Sequence, residues 1–285
     1  DVYSSFIEEK FNIFYESKIR YDIQNPRLAL KIHDEKQKIL KYCEILALKL
    51  IFPASVLQGL NINCEKTVEK FVKGNYTMVG IITELQNDVP QFLHESLAEY
   101  LVATYFSKNF DEIPVDVFFE QKYNNVRFFF DMLLAENSPV HVAVLYKNFD
   151  LVKTYEDEIL RRKDNGGRSA LHLICSWGQR HPRVEISREN KTFVVEEISG
   201  FSCKPESNEV LEAVTFLQSK NDNSERDSLF GLTPLLYAKK SESLAVELKL
   251  LLLLGKNSEF TYDIDDRINI LYYSTLLAYD DVIEV

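Results

Sequence analysis

The sequence predicts a mainly α-helical chain built in two different ways: a helical module carrying a small β-hairpin, followed by an array of repeated helical units. Three observations lead to that class. Apolar residues recur at i, i+4 spacing through much of the first hundred residues. Two β-favouring runs separated by a polar turn interrupt them between residues 78 and 93. A six-residue opening recurs four times after residue 137.

Taken in order, Val2, Phe6, Lys10 and Phe14, with Tyr3, Ile7, Phe11 and Tyr15 beside them, predict a first helix with one face to bury. Asn25-Pro26 ends that segment. Residues 28–30 and then Ile39, Tyr42, Cys43, Leu46, Ala47, Leu50 and Ile51 mark a second helix or pair of helices, stopped at Phe52-Pro53. Val68 and Phe71 suggest a short helix between about residues 64 and 72, which Gly74-Asn75 breaks. Residues 78–85, with Val79, Ile81, Ile82 and Thr83, read as a strand, Gln86-Asn87-Asp88 as a turn, and residues 89–93 as the returning strand. Leu97, Leu101 and Tyr105 give the helix that follows. Helix, helix, β-hairpin and closing helix make a winged-helix topology over residues 1–107. A helical bridge, residues 108–136, comes next, with Phe118, Phe119 and residues 128–130 packed as core.

The second half, residues 137–285, repeats. Ser138-Pro139-Val140-His141-Val142-Ala143, Ser169-Ala170-Leu171-His172-Leu173-Ile174, Thr233-Pro234-Leu235-Leu236-Tyr237-Ala238 and Asn269-Ile270-Leu271-Tyr272-Tyr273-Ser274 are versions of T-P-L-H-x-A. Their starts are 31, 64 and 36 residues apart, against a period of about 33 for ankyrin repeats. The array therefore resembles an ankyrin-repeat solenoid of about four repeats, the last incomplete, with the long interval explained by an insertion near residues 180–208. In that insertion Phe193, Val195 and Glu197 are placed to pair with Val184 and Ile186, and Val210, Leu211, Val214, Phe216 and Leu217 supply a delayed second helix. A degenerate extra repeat is the alternative. The resemblance implies that His141 and His172 hydrogen-bond backbone groups between neighbouring turns, and that the turn tips with the first helices form the recognition surface. Asp164-Asn165-Gly166-Gly167-Arg168 and Leu229-Phe230-Gly231-Leu232 are the turns, where glycine supplies positive φ.

The first half carries one more pattern. Phe92, His94, Ser96, Glu99, Tyr100 and Ala103 follow F-x-H-x-(S/T)-x-x-E-(Y/F)-x-A-A, with Val102 where an alanine is usual and Leu97 where an aromatic is common. This resembles the segment closing the winged-helix part of NACHT-type signal-transduction NTPases. Two further stretches, Leu46-Ala47-Leu48-Lys49-Leu50-Ile51-Phe52-Pro53 and the opening from Val2 to Phe11, are similar to neighbouring parts of that family. The resemblance implies that His94 contacts a phosphate of bound ADP and helps to hold an inactive state. It also implies that a nucleotide-binding domain precedes residue 1 in the same polypeptide. The residues themselves place His94 at a helix N-terminus, where unpaired N–H groups favour an anion. An imidazole that merely caps its own helix is the other reading.

Composition narrows the classes. A formal charge of −11 over 285 residues argues against a nucleic-acid surface, and the basic cluster Arg161-Arg162-Lys163 lies among Glu156, Asp157, Glu158 and Asp164. The longest apolar run, residues 250–254, is far short of the roughly 20 residues that cross a bilayer, and no secretory leader is evident. Cys43, Cys64, Cys175 and Cys203 form no CxxC pair, so neither a disulfide framework nor a zinc site is expected, and a cytoplasmic setting fits. No GxxxxGK(S/T), GxSxG or HExxH motif occurs, and Cys175 beside His172 reads as a buried small residue, not a nucleophile with its base. The expectation is a non-catalytic chain with no cofactor of its own, ADP or ATP being implied only for a longer protein. Its repeats would bind a protein ligand and its winged-helix part would restrain a nucleotide-binding domain. The family likeness also allows a homo-oligomer on activation. A free-standing ankyrin scaffold without a nucleotide switch is the alternative.

Overall fold

A computed structural model describes residues 2–19, 26–60, 62–178, 186–187, 194–195 and 206–254. The chain is mainly helical and divides into two compact units, Asp1–Leu133 and Leu134–Val285.

In the first unit, helix α1 (Val2–Ile13) runs on into a π-turn, Phe14–Lys18, and buries Ile7, Phe11, Phe14 and Tyr15. Helix α2 (Pro26–Ile51) is one continuous helix of 26 residues, where the sequence left one helix or two open. Pro26 is at home as its first residue, because the N–H it lacks would have no helical partner there. Ile39, Cys43, Leu46 and Ala47 turn a common side of α2 into the core. After the short α3 (Ala54–Gly59), α4 (Cys64–Lys73) opens on Asn63, whose side-chain oxygen accepts from Lys66 N–H at 2.8 Å. At its end Gly74 stays right-handed, and Asn75 is the residue with positive φ, +53°.

The first β-run begins later than its composition suggests. Tyr76–Val79 forms a 3-10 turn bracketed by left-handed Asn75 and Gly80, and it buries Tyr76 and Val79, three residues apart. That spacing suits a three-residue turn, so Met78 and Val79 are not strand. Strand β1 (Ile82–Gln86) then pairs antiparallel with β2 (Val89–Phe92) in the register Gln86↔Val89, with an irregularity between Ile82 and Glu84. Asn87 and Asp88 both take positive φ, +50° and +64°, as a two-residue type I′ hairpin turn requires. Helix α5 (Glu95–Lys108) packs along α2 and buries Leu97, Ala98, Leu101, Val102 and Phe106.

The stretch expected as a helical bridge consists of short pieces: a 3-10 turn (Phe110–Glu112), α6 (Val115–Phe118), a second 3-10 turn (Gln121–Tyr123) and α7 (Asn124–Leu134). Their rings close the core of the first unit. Phe106 meets Phe52 and Phe118 edge-on at 5.8 Å, and Phe118 meets Phe130 at 5.4 Å, the geometry that the ring quadrupoles favour.

Among the described residues the second unit consists mainly of short helices packed in pairs. Its elements are α8 (Pro139–Leu145), α9 (Phe149–Thr154), the single turn α10 (Asp157–Leu160), α11 (Ala170–Ser176), β3 (Ile186–Ser187), β4 (Val194–Val195), α12 (Asn208–Gln218), α13 (Pro234–Lys240) and α14 (Leu244–Leu254). Helix α8 packs on α9, α11 on α12, and α13 on α14; α8, α11 and α13 pack in series, and so do α9, α12 and α14. Seven-residue first helices cannot each bury an all-round apolar surface alone, and stacking buries it between neighbours. Val140, Leu171 and Leu235 are the corresponding core positions. Helix α12 is thus the second helix of the pair opened by α11, with the insertion between them. Within that insertion β3 and β4 pair through Ile186↔Val195 and Ser187↔Val194. The other insertion positions named above, Val184, Phe193 and Glu197, and the whole fourth opening from Asn269 lie outside the described residues. No helix among the described residues is long and apolar enough to cross a membrane.

Candidate functional site

His94 sits where β2 ends and α5 begins, in an extended conformation (φ −150°, ψ 144°), as the residue that caps the helix. Its Nδ1 accepts from the Ser96 backbone N–H at 3.1 Å and lies 2.6 Å from Ser96 Oγ. Ser96 Oγ in turn accepts from the Tyr3 hydroxyl at 2.9 Å, and Tyr3 stacks on Tyr100 at 5.1 Å and meets Phe129 edge-on at 5.0 Å. The first helix, the closing helix and α7 thereby converge on the cap. One ring nitrogen is committed to α5 itself, which is the plainer of the two sequence readings. The side chain is exposed, and among the described residues Nε2 makes no hydrogen bond. The geometry leaves that nitrogen open to an outside group.

Glu99, quoted in the motif but given no role, is buried one turn and a residue beyond His94, and its Oε1 accepts from Asn125 Nδ2 at 3.0 Å. Burial raises its pKa, the Asn125 hydrogen bond and His94 oppose that shift, and Glu95 reinforces it.

In the second unit His141 and His172 are fully buried and do the same work one pair apart. His141 Nδ1 is 2.6 Å from Ser138 Oγ, and its Nε2 is 2.9 Å from the Arg168 carbonyl in the next turn. His172 Nδ1 accepts from Ser169 N–H at 3.2 Å, and its Nε2 is 3.0 Å from the Glu225 carbonyl. A carbonyl only accepts, so each ring carries a proton on Nε2, and at His172 the Ser169 N–H leaves Nδ1 unprotonated and the ring neutral. Burial lowers the pKa of both, that of His141 to about 4; Asp164 partly offsets the shift there, while Arg168 adds to it. At the third opening Leu236 occupies the histidine position. The adjacent Tyr237 donates its hydroxyl to the Asp227 carboxylate, whose other oxygen accepts from Phe230 and Gly231 N–H at 2.7 and 2.8 Å.

Asp164 plays the same organising part in the earlier turn. Its Oδ1 accepts from Gly166 and Arg168 N–H, both at 2.9 Å, and its Oδ2 pairs with Arg168 Nε and Nη2, both at 2.8 Å, with both side chains buried. Burial alone would raise the Asp164 pKa, but the Arg168 charge and the hydrogen bonds outweigh it and hold the carboxyl below its usual range. Sequence reading identified this turn by its glycines and assigned nothing to Asp164 or Asp227. The recurring aspartate ahead of each glycine turn was the available signal.

Cys175 is fully buried, burial pushes its thiol pKa up, and the bonds of His172 go to Ser169 and Glu225. A buried thiol with a raised pKa is a poor nucleophile. Cys43 is likewise buried with its pKa raised, Cys64 is half-buried, and Cys203 lies outside the described residues. Among the described residues no group of three or more His, Cys, Asp or Glu side chains is arranged to hold a metal ion. In comparisons with known proteins, no family model, no curated protein and no solved structure matches this chain.

Proposed function

We propose that this chain is a non-catalytic, protein-binding regulatory element whose second unit is an ankyrin-type solenoid recognising a protein through its turn tips and first helices. The observation that carries the reading is the stacking of first helices on first helices and second on second, with His141 and His172 each reaching the backbone of the following turn. Such an array presents successive turns side by side, and a partner is read by the shape and polarity of their tips. Asn165, Arg226, Ser228 and Gly231 are exposed there.

The first unit fits the role of a NACHT-type winged-helix module restraining a nucleotide-binding domain, a reading supported by the order α2, α4, hairpin and α5 and by the open Nε2 of His94. A ligand on the repeats would then shift the population only as far as it binds the released state better. The free-standing scaffold remains the competing reading, favoured by the use of His94 Nδ1 as a helix cap.

Photo-crosslinking from Asn165 and Ser228 tests the first element. A single captured protein that Asn165→Arg with Ser228→Arg no longer binds, at unchanged helicity, supports tip recognition; a partner indifferent to both tips removes it. ADP carried through purification by the natural polypeptide tests the second. Loss of nucleotide in His94→Ala supports the switch, whereas equal retention, or no nucleotide in either protein, leaves the scaffold.

A further inference from the structure

A groove of about 350 Å³ in the first unit is walled by Leu50 and Ile51 of α2, Pro90 and Phe92 of β2, and Tyr123 and Val126. Its volume is in the range of specific ligand and side-chain pockets, and its lining mixes these apolar side chains with polar ones, Gln91 among them. Glu95 and Glu99 line it from α5, four residues apart and so on one face of the helix. Glu99 is the deeply buried one, 8% exposed. Only Oε1 of its carboxylate is hydrogen-bonded, to Asn125, and Oε2 bonds none of the described residues. Lys122 also lines the groove, but its ammonium is held by Glu120 at 2.7 Å.

A carboxylate this far out of water is solvated less well than it is in the unfolded chain. Burial raising its pKa expresses the same unfavourable environment. A cation entering the groove would relieve it. Among cationic side chains, guanidinium fits best: it is planar, weakly hydrated, able to engage carboxylates through several N–H groups, and able to lie against aromatic rings. Phe92 and Tyr123 supply such rings beside the two carboxylates.

We infer that this groove is a docking site for an arginine side chain presented by a partner protein, paired with Glu99 and Glu95 and lying against Phe92 and Tyr123, with aliphatic neighbours of that arginine on the apolar walls. The site is independent of any phosphate contact by His94 and of the repeat surface. Charge complementarity selects the partner: the two α5 carboxylates face the groove and its lysine is already paired.

The test uses the whole chain and two short peptides, Ac-Leu-Arg-Leu-amide and its citrulline counterpart, which keeps the planar shape but loses the charge and turns one NH2 donor into a carbonyl acceptor. Amide shifts in NMR spectra report where each binds. The expected result is saturable shifts at residues 90–99 and 122–126 with the arginine peptide and about tenfold weaker binding of the citrulline peptide. Glu99→Gln should melt at a higher temperature than the parent and bind the two peptides alike. Equal binding of the two peptides by the parent overturns the inference. So does the absence of shifts in those residues, and so does a Glu99→Gln variant that melts lower, since that carboxylate would then be a structural requirement.

Discussion

Acidification should loosen the second unit through its buried histidines. His141 is buried and neutral, with its pKa lowered from 6.5 to about 4. The sign follows from proton counts: between those values the unfolded chain binds a proton that the folded chain refuses, so stability falls as pH falls. His141 contributes its full share above about pH 6.5, and that share is lost progressively down to about pH 4. Linkage puts the loss at about 2 kcal/mol at pH 5 and about 3 kcal/mol at pH 4 from this one ring. His172, whose pKa is lowered for the same reason, adds in the same direction. The geometry gives the cause independently, because a proton on His172 Nδ1 would face the fixed N–H of Ser169. The chain has a single tryptophan, Trp177, directly after α11, so its fluorescence reports this unit. Urea midpoints followed through Trp177 at pH 7.5, 6, 5 and 4 measure the effect. The double variant His141→Gln with His172→Gln should start less stable and lose less on acidification. A parent midpoint that is flat from pH 7.5 to pH 4.5, or an equal acid dependence in the double variant, would refute the argument.

Three further outcomes are expected. Gly167→Ala should cost more than Gly231→Ala: both positions have positive φ, worth about 1–2 kcal/mol of strain, but an added Cβ meets Ser228 Oγ, Cβ and N at 2.5, 2.9 and 3.0 Å at residue 167 and nothing within 4 Å at residue 231. Equal melting temperatures for the two variants would show that Ser228 moves aside freely. Phe106→Ala removes a fully buried ring at the meeting of α5, Phe52 and Phe118 and should cost about 3–5 kcal/mol by urea denaturation, read from far-ultraviolet circular dichroism. His94→Ala should cost about 0.5–2 kcal/mol through the lost cap, and His94→Asn should restore most of it. A nucleotide-retention defect that persists in the asparagine variant would separate a ligand role from the cap.

Local features came through well from the sequence because local forces decide them. The i, i+4 apolar positions of α1, α2 and α5 announced helices, and Asn87-Asp88 announced a hairpin whose turn needs two residues tolerant of positive φ. Misreadings fell where a neighbouring constraint overrode propensity. Met78 and Val79 have strand-like company, yet a turn between left-handed Asn75 and Gly80 places Tyr76 and Val79 in the core. Gly74-Asn75 does end α4, which stops at Lys73, although the positive φ falls on asparagine, which tolerates it, and not on the glycine.

By itself, then, the sequence determined the helical class, the hairpin with its turn, the recurring openings and the cap position of His94, all set by periodicity, turn chemistry and side-chain reach over a few residues. Only the tertiary structure decided what those openings hold on to. The carbonyl that His172 meets belongs to Glu225, 53 residues on, across an insertion whose length no local rule constrains. It decided equally that Glu99 is a buried carboxylate on a groove. In the sequence it is one glutamate in a helix, and its environment comes from Asn125, Tyr123 and β2, which only packing brings beside it.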